Sequence, residues 1–310
     1  MATLTAQSER TRPDRLRSGI ALRVAGAATA AGIGICVHGA AQAGATTGQV
    51  VVLRSVLSIP VLLLYAALVA PVADWLPRQA SRHLLRGVLG GTVMVLNFYA
   101  LGVLPVAHAQ ALAYLAPVLS VPVAVVLLGE RLSLRAALAV SVGCAGMVAM
   151  LYTSVAREGW GWTEASGMLA GIAGAALMAV LRSLIRSMTA TETTISIALS
   201  FAVIAGAVGG LLSLWTGWAP MSGAIWAWMA AAGVIGAATH ILATEASARA
   251  PVSTLAPFDY AGLVFAVILD ALIFAHLPGL WGWIGIALIV AAGMMTLPRG
   301  RPEGSWLRLK

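Results

Sequence analysis

Lysine is nearly absent: Lys310, the last residue, is the only one in 310. With it go the phosphate-binding lysine of a P-loop and any Schiff-base lysine, so ATP-driven and lysine-imine chemistry have no residue to work with. Cysteine is almost as scarce. Cys36 and Cys144 both fall in apolar runs, which excludes a disulfide framework and a paired-thiolate metal site. Neither HExxH nor GxSxG occurs, so no enzyme signature and no cofactor are expected. Charge is the third shortage. Charged residues make up 10% of the chain against 60% apolar, with a mean hydropathy of +0.92, where a soluble domain carries about 25% charged residues. The composition predicts an all-α integral membrane protein.

What is present is a series of apolar stretches, each near the length of about 20 residues that a spanning helix needs. They fall at roughly 21–41, 48–70, 84–102, 104–128, 134–153, 165–187, 194–215, 222–244, 251–275 and 279–297. Pro71, Pro77, Pro105, Gly159, Gly217 and Pro278 punctuate the short connections. The basic residues fix the orientation, because Lys and Arg in short loops stay in the cytoplasm. With ten spans and cytoplasmic termini, every basic residue except Arg157 in a loop and Arg54 inside a span falls on one side, seventeen of nineteen. The net charge of +8 then reflects topology and anionic lipid rather than nucleic acid. Ala41-Gln42-Ala43 after a basic stretch imitates a signal-peptide cleavage site, but the apolar run is longer than the usual 7–15 residues, so a retained first helix is expected.

Sliding the chain on itself by 146 residues places Tyr114 on Tyr260, Ala107 on Ser253 and Gly129-Glu130-Arg131 on Ala275-His276-Leu277. The offset equals five spans, and a unit with an odd number of spans must invert relative to its copy. Ten helices as two inverted five-helix repeats are therefore expected, with a solute site near the midplane. The predicted organisation is a basic cytoplasmic segment 1–20, a first repeat 21–153, an external linker 154–164, a second repeat 165–297 and a basic cytoplasmic tail 298–310.

The stretch Asn97-Phe98-Tyr99-Ala100, Leu104-Pro105-Val106-Ala107, Tyr114-Leu115-Ala116-Pro117 and Leu128-Gly129-Glu130-Arg131-Leu132-Ser133 resembles the signature of the EamA family of drug/metabolite transporters. Leu255-Ala256-Pro257-Phe258-Asp259-Tyr260 and Gly285 to Gly293 resemble the family's carboxy-terminal block. The resemblance implies ten helices in the cytoplasmic membrane, secondary transport of a small metabolite, and a central cavity lined by the first, third, fourth, sixth, eighth and ninth helices. A homodimer is compatible with it. Three residues depart from the pattern: His276 stands in place of a Glu, Asp270 in place of a small residue, and Glu245 in place of an apolar or aromatic one.

Ionisable groups inside spans are the sharpest local signal, since each costs about 2.5 to 3.5 kcal/mol at a helix centre and must face a partner or a wet cavity. Asp259 and Asp270 are eleven residues apart, near three full turns, which predicts both on one face of the ninth helix about 16 Å apart. One reading makes them cation or proton sites, with Pro257 loosening the backbone beside Asp259. The other pairs them with neighbouring helices, or hydrates Asp270 at the outer interface. Arg54 pairs with Asp270 at similar depth or snorkels to the headgroups. His38, His108 and His240 are titratable or packing residues, and Asn97, Tyr99, Tyr114 and Tyr260 are candidate cavity hydrogen-bonders. Gly167 with Gly171, and Gly206 with Gly210, have the spacing of close helix contacts. The tryptophans cluster near predicted interfaces. Helices nine and ten hold no Lys or Arg, which argues against phosphorylated solutes.

The expected activity is secondary transport of a small zwitterionic or cationic metabolite, resembling an amino acid or S-adenosylmethionine, by alternating access, with a proton coupled through Asp259. The alternatives are a carrier of a neutral aromatic vitamin such as riboflavin, and a channel or scaffold. Reporter fusions should place residues 10 and 305 in the cytoplasm and the loop at 157–164 outside. A cytoplasmic signal from that loop overturns the inverted arrangement.

Overall fold

The computed structural model describes residues 2–69, 71–116, 118–119, 134–155, 161–188, 191–249, 255 and 258–296, with side-chain surroundings given from residue 15 onward. The described regular structure is helical. In chain order it comprises α1 (Ala2–Gln42), α2 (Thr47–Val69), α3 (Ala80–Val103), α4 (Val106–Ala113), α5 (Leu134–Val155), α6 (Trp162–Met188), α7 (Thr194–Thr216), α8 (Gly223–Arg249), α9 (Ala261–Phe274) and α10 (Leu280–Thr296). Six helices, α1 (from Arg15), α2, α3, α6, α7 and α8, are long and apolar enough to cross a membrane, while α5, α9 and α10 carry shorter apolar stretches. The chain is a multi-pass membrane protein. The second part of the expected fourth span, part of the linker at 154–164 and the tail from 297 lie outside the described residues. The ninth helix departs from expectation: its regular part opens at Ala261 with Tyr260 as N-cap. Asp259 thus precedes α9, and the shared helix face expected for Asp259 and Asp270 is corrected.

The sequence sets the helix limits locally. Thr193 caps α7, its Oγ1 accepting from Ser196 N–H at 3.2 Å. Gly217, at φ 74°, ends that helix in a conformation that costs other residues energy. Leu104 is extended before Pro105, as a residue preceding proline must be, and this separates α3 from α4.

The helices pack in a regular scheme. α1 lies along α8 and α9, and α6 lies along α3 and α4; α2 crosses to α8, and α3 to α7; α2 packs on α7, α4 on α9 and α5 on α10. Each of these pairings maps onto another, or onto itself, when every helix is exchanged for the one five places along. Small residues permit the close approaches. A Cβ on Gly167 would stand 2.3 Å from Val103, and one on Gly171 2.9 Å from Leu112. The second expected glycine pair is corrected in part. Gly210 faces open space and Gly206 makes ordinary contact, whereas Gly209 is the intimate neighbour, its added Cβ meeting Val51 at 2.6 Å.

Two loop-to-loop attachments hold opposite ends of the bundle. At the end far from the N-terminus, Thr46 of the α1–α2 turn and Gln49 in the first turn of α2 donate to Gly217 O at 3.2 Å and Ala219 O at 3.0 Å. At the N-terminal end, Glu192 of the α6–α7 loop accepts from Gln79 N–H at 2.8 Å and Arg78 N–H at 3.1 Å, with His83 Nε2 at 3.2 Å. Burial disfavours the Glu192 charge, yet these donors outweigh it and hold its carboxyl below the ordinary value of 4.5.

A depressed folded-state value adds stability above the unfolded one, and that stability is lost as pH falls through the folded value. Glu192→Gln should therefore melt earlier than wild type near pH 7, and the difference should shrink as pH drops below about 4.5. Thermal unfolding followed across this range checks it. A constant difference would mean that the carboxylate charge is not what holds the loop.

Candidate functional site

The residues singled out from the sequence separate into four places. At the N-terminal end, Asp259 is held by Arg23 of α1. Arg23 Nε contacts Oδ1 and Arg23 Nη2 donates to Oδ2 at 2.8 Å, a bidentate fork with each side chain about a quarter exposed. The unpaired carboxylate on which the proton-coupling expectation rested is corrected: both Asp259 oxygens are engaged. Pro257, invoked beside it, lies outside the described residues.

Just beyond this pair, Tyr114 and Tyr260 face each other with ring centroids 5.5 Å apart and planes tilted by 38°. Tyr114 caps the end of α4 and Tyr260 caps the start of α9, so both sit where helical backbone breaks inside an apolar span. An added Cβ on Gly262 would meet the Tyr114 hydroxyl, and one on Gly293 the Tyr260 hydroxyl. Glycine there makes room for the rings.

The far end gathers Asp270, His38, His108 and His276. Asp270 is fully buried, and its Oδ2 accepts from Ala107 N–H at 3.0 Å, capping the first turn of α4 from a different helix. Its Oδ1 lies 3.4 Å from His276 Nδ1. Two residues that depart from the family pattern thus face each other. His38 Nδ1 pairs with Leu101 O at 2.6 Å, its ring standing edge-on to Phe274 at 4.7 Å. Asp270, His108, His276 and Tyr152 border a cavity of about 250 Å³ open to that end.

The fourth place is the core between α2, α3, α7 and α8. Arg54 neither pairs with Asp270 nor snorkels: it is 5% exposed, with Nη2 3.3 Å from His240 Nε2 and Nη1 3.6 Å from Met94 Sδ. An arginine only donates, so His240 Nε2 accepts and its proton sits on Nδ1. Asp270 is out of reach because α4 and α9 claim it on another side of the bundle. Asn97 and Tyr99 face α6 rather than the tyrosine pair: Asn97 Oδ1 lies against Gly174, and Tyr99 OH shares a hydrogen with Ser166 Oγ at 2.6 Å. Glu245 accepts from Tyr65 OH at 3.1 Å and pairs with Arg249.

Sequence reasoning missed Arg23 and Arg86 as site residues, counting both as topology charges. Arg86 is 8% exposed and stacks 4.6 Å over the Phe201 ring. The available signal was position: each stands inside an apolar span rather than in a loop, and Arg86 precedes Gly87, Gly90 and Gly91, which bring α7 close.

Residues 17–152 match the EamA-like transporter family. A riboflavin transporter of Rhizobium johnstonii is 29% identical over 216 residues, 70% of each chain. A crystal structure 20% identical superimposes with a TM-score of 0.62 over 92% of this chain and 97% of the other, a likeness of fold alone. The amino-terminal half of the molecule is thus similar to EamA-like transporters.

The Arg23 fork gives a direct test. Asp259→Asn and Arg23→Gln should each lower stability by about 1 kcal/mol, the screened value of a partly exposed pair, and exchanging the two charges should recover most of the loss. Thermal unfolding in detergent reads this out. Additive losses with no recovery in the exchanged variant would show that the two side chains do not act on each other.

Proposed function

We propose that this transporter is a secondary carrier that moves a small aromatic metabolite across the cytoplasmic (inner) membrane by alternating access. Its two halves, 21–153 and 165–297, joined by the linker 154–164 and flanked by the basic segments 1–20 and 298–310, act as inverted repeats with both termini in the cytoplasm. The exchange of helix pairings five places along supports the repeats, and the one-sided basic residues support the orientation.

The observation that carries the substrate reading is the Tyr114–Tyr260 pair at two mid-span helix breaks. Irregular backbone at membrane depth is tolerated where it lines a cavity, and two aromatic faces there offer stacking to a planar ring. The acids that favoured a cationic solute are both engaged, Asp259 by Arg23 and Asp270 by Ala107 and His276. The relative in Rhizobium johnstonii named for riboflavin points the same way.

Proteoliposomes should accumulate labelled riboflavin. Tyr114→Ala or Tyr260→Ala should slow initial uptake about three- to ten-fold, the equivalent of the 0.5–1.5 kcal/mol an aromatic pair contributes, while Phe at either position retains most of it. Uptake of S-adenosylmethionine with none of riboflavin would return the reading to a cationic solute and sink this one.

A further inference from the structure

We infer that the buried arginines Arg54 and Arg86 form an anion site, so that the carrier accepts aromatic solutes bearing a carboxylate or phosphate. Both side chains lie inside spans and are more than nine-tenths buried. Among the described residues neither has a carboxylate partner. The six acids whose side chains are described are all engaged elsewhere: Asp74 with Arg78, Glu164 with Gly161 N–H, Glu192 with His83, Glu245 with Arg249, Asp259 with Arg23 and Asp270 with Ala107 N–H and His276. The bonds the two guanidiniums do make are weak ones. Arg54 reaches a methionine sulfur and a neutral imidazole, and Arg86 reaches Ile197 O at 3.4 Å. The Nε of each is buried with no partner among the described residues.

A buried cation is retained where something pairs with it. Here the protein withholds the pair and leaves donor atoms on planar forks suited to oxyanions. His240 and Phe201 connect the two arginines: His240 accepts from Arg54, its ring centroid is 6.0 Å from that of Phe201, and Arg86 lies over the other ring. A cation site flanked by an aromatic ring matches an anionic group carried on an aromatic frame. Gly236, one turn before His240, stands against the Arg54 guanidinium, where an added Cβ would come within 3.0 Å of Nε. The absence of basic residues from helices nine and ten therefore does not exclude anionic solutes. The cations sit on the second and third helices.

This inference deepens the aromatic-solute reading, and it is tested by binding rather than transport so that the two can fail separately. Purified full-length protein is titrated with benzoate and benzamide, and with riboflavin 5′-phosphate and riboflavin, following thermal stabilisation. The charged member of a pair should act at a concentration about ten-fold or more below its neutral partner. Arg54→Gln and Arg86→Gln should bring that ratio toward one without weakening the neutral ligand. Arg54→Lys keeps the charge and fold but loses the fork, and should lower the ratio part-way. Preference for benzoate alone assigns carboxylate, and for the flavin phosphate alone, phosphate. Equal midpoints in wild type, or a ratio untouched by all three substitutions, overturns the anion site. Riboflavin uptake without charge preference would overturn the anion site while leaving the transport reading intact, and charge preference without uptake would do the reverse.

Discussion

A bilayer offers no water to a polar group inside it, and this one constraint orders the structure. A buried donor, acceptor or charge must be met by protein or by a bound solute. Asp270 shows how. Two free N–H groups at the start of α4 would be orphans, and a carboxylate from α9 supplies an acceptor that the helix dipole also favours. The acid that looked anomalous in a hydrophobic span is thus what lets α4 begin inside the protein after Pro105. Its second oxygen turns to His276 across the short α9–α10 connection, where Ala275 takes the left-handed conformation and donates back to Asp270 O.

The same constraint makes helix breaks meaningful. At Tyr114 and at Tyr260 the regular helix gives way to a turn, where Leu115 N–H bonds to Leu112 O and Leu263 N–H to Tyr260 O. Large amphipathic rings stand at both, packed on glycines and on each other. Both acids are already engaged by protein partners, which is why the tyrosine pair carries more weight in the proposed function than the individual acids.

Much of this was legible in the sequence because it depends on periodicity and depth. The helix limits fell within a few residues for most spans, and the 146-residue offset brought Tyr114 to Tyr260 before any geometry was known. What was not legible depends on azimuth, the direction in which a side chain leaves its helix. Arg54 and Asp270 share a depth, so they were natural partners on paper, but they face different neighbours. Arg23 and Arg86 were absorbed into a charge count that treats every arginine at a helix end as pointing into water. The eleven-residue spacing of Asp259 and Asp270 assumed one continuous helix, and the break at Tyr260 removed that premise.

The two ends of the bundle are closed by different physics, and this bears on the proposed alternating-access cycle. At the N-terminal end α1 is tied to the residue before Tyr260 by an ion pair already a quarter exposed, and separating such a pair into water costs about 1 kcal/mol or less, because both ions regain hydration. At the far end Asp270 is fully enclosed, and its bond to Ala107 N–H is also the cap of α4. Breaking it strands a buried charge and frays a helix, a loss of about 3–5 kcal/mol for a buried charge deprived of its partner. A cycle that must open both ends in turn therefore opens the N-terminal end by parting α1 from α9, and opens the far end by moving α4 and α9 together as one body, with Asp270 still in place.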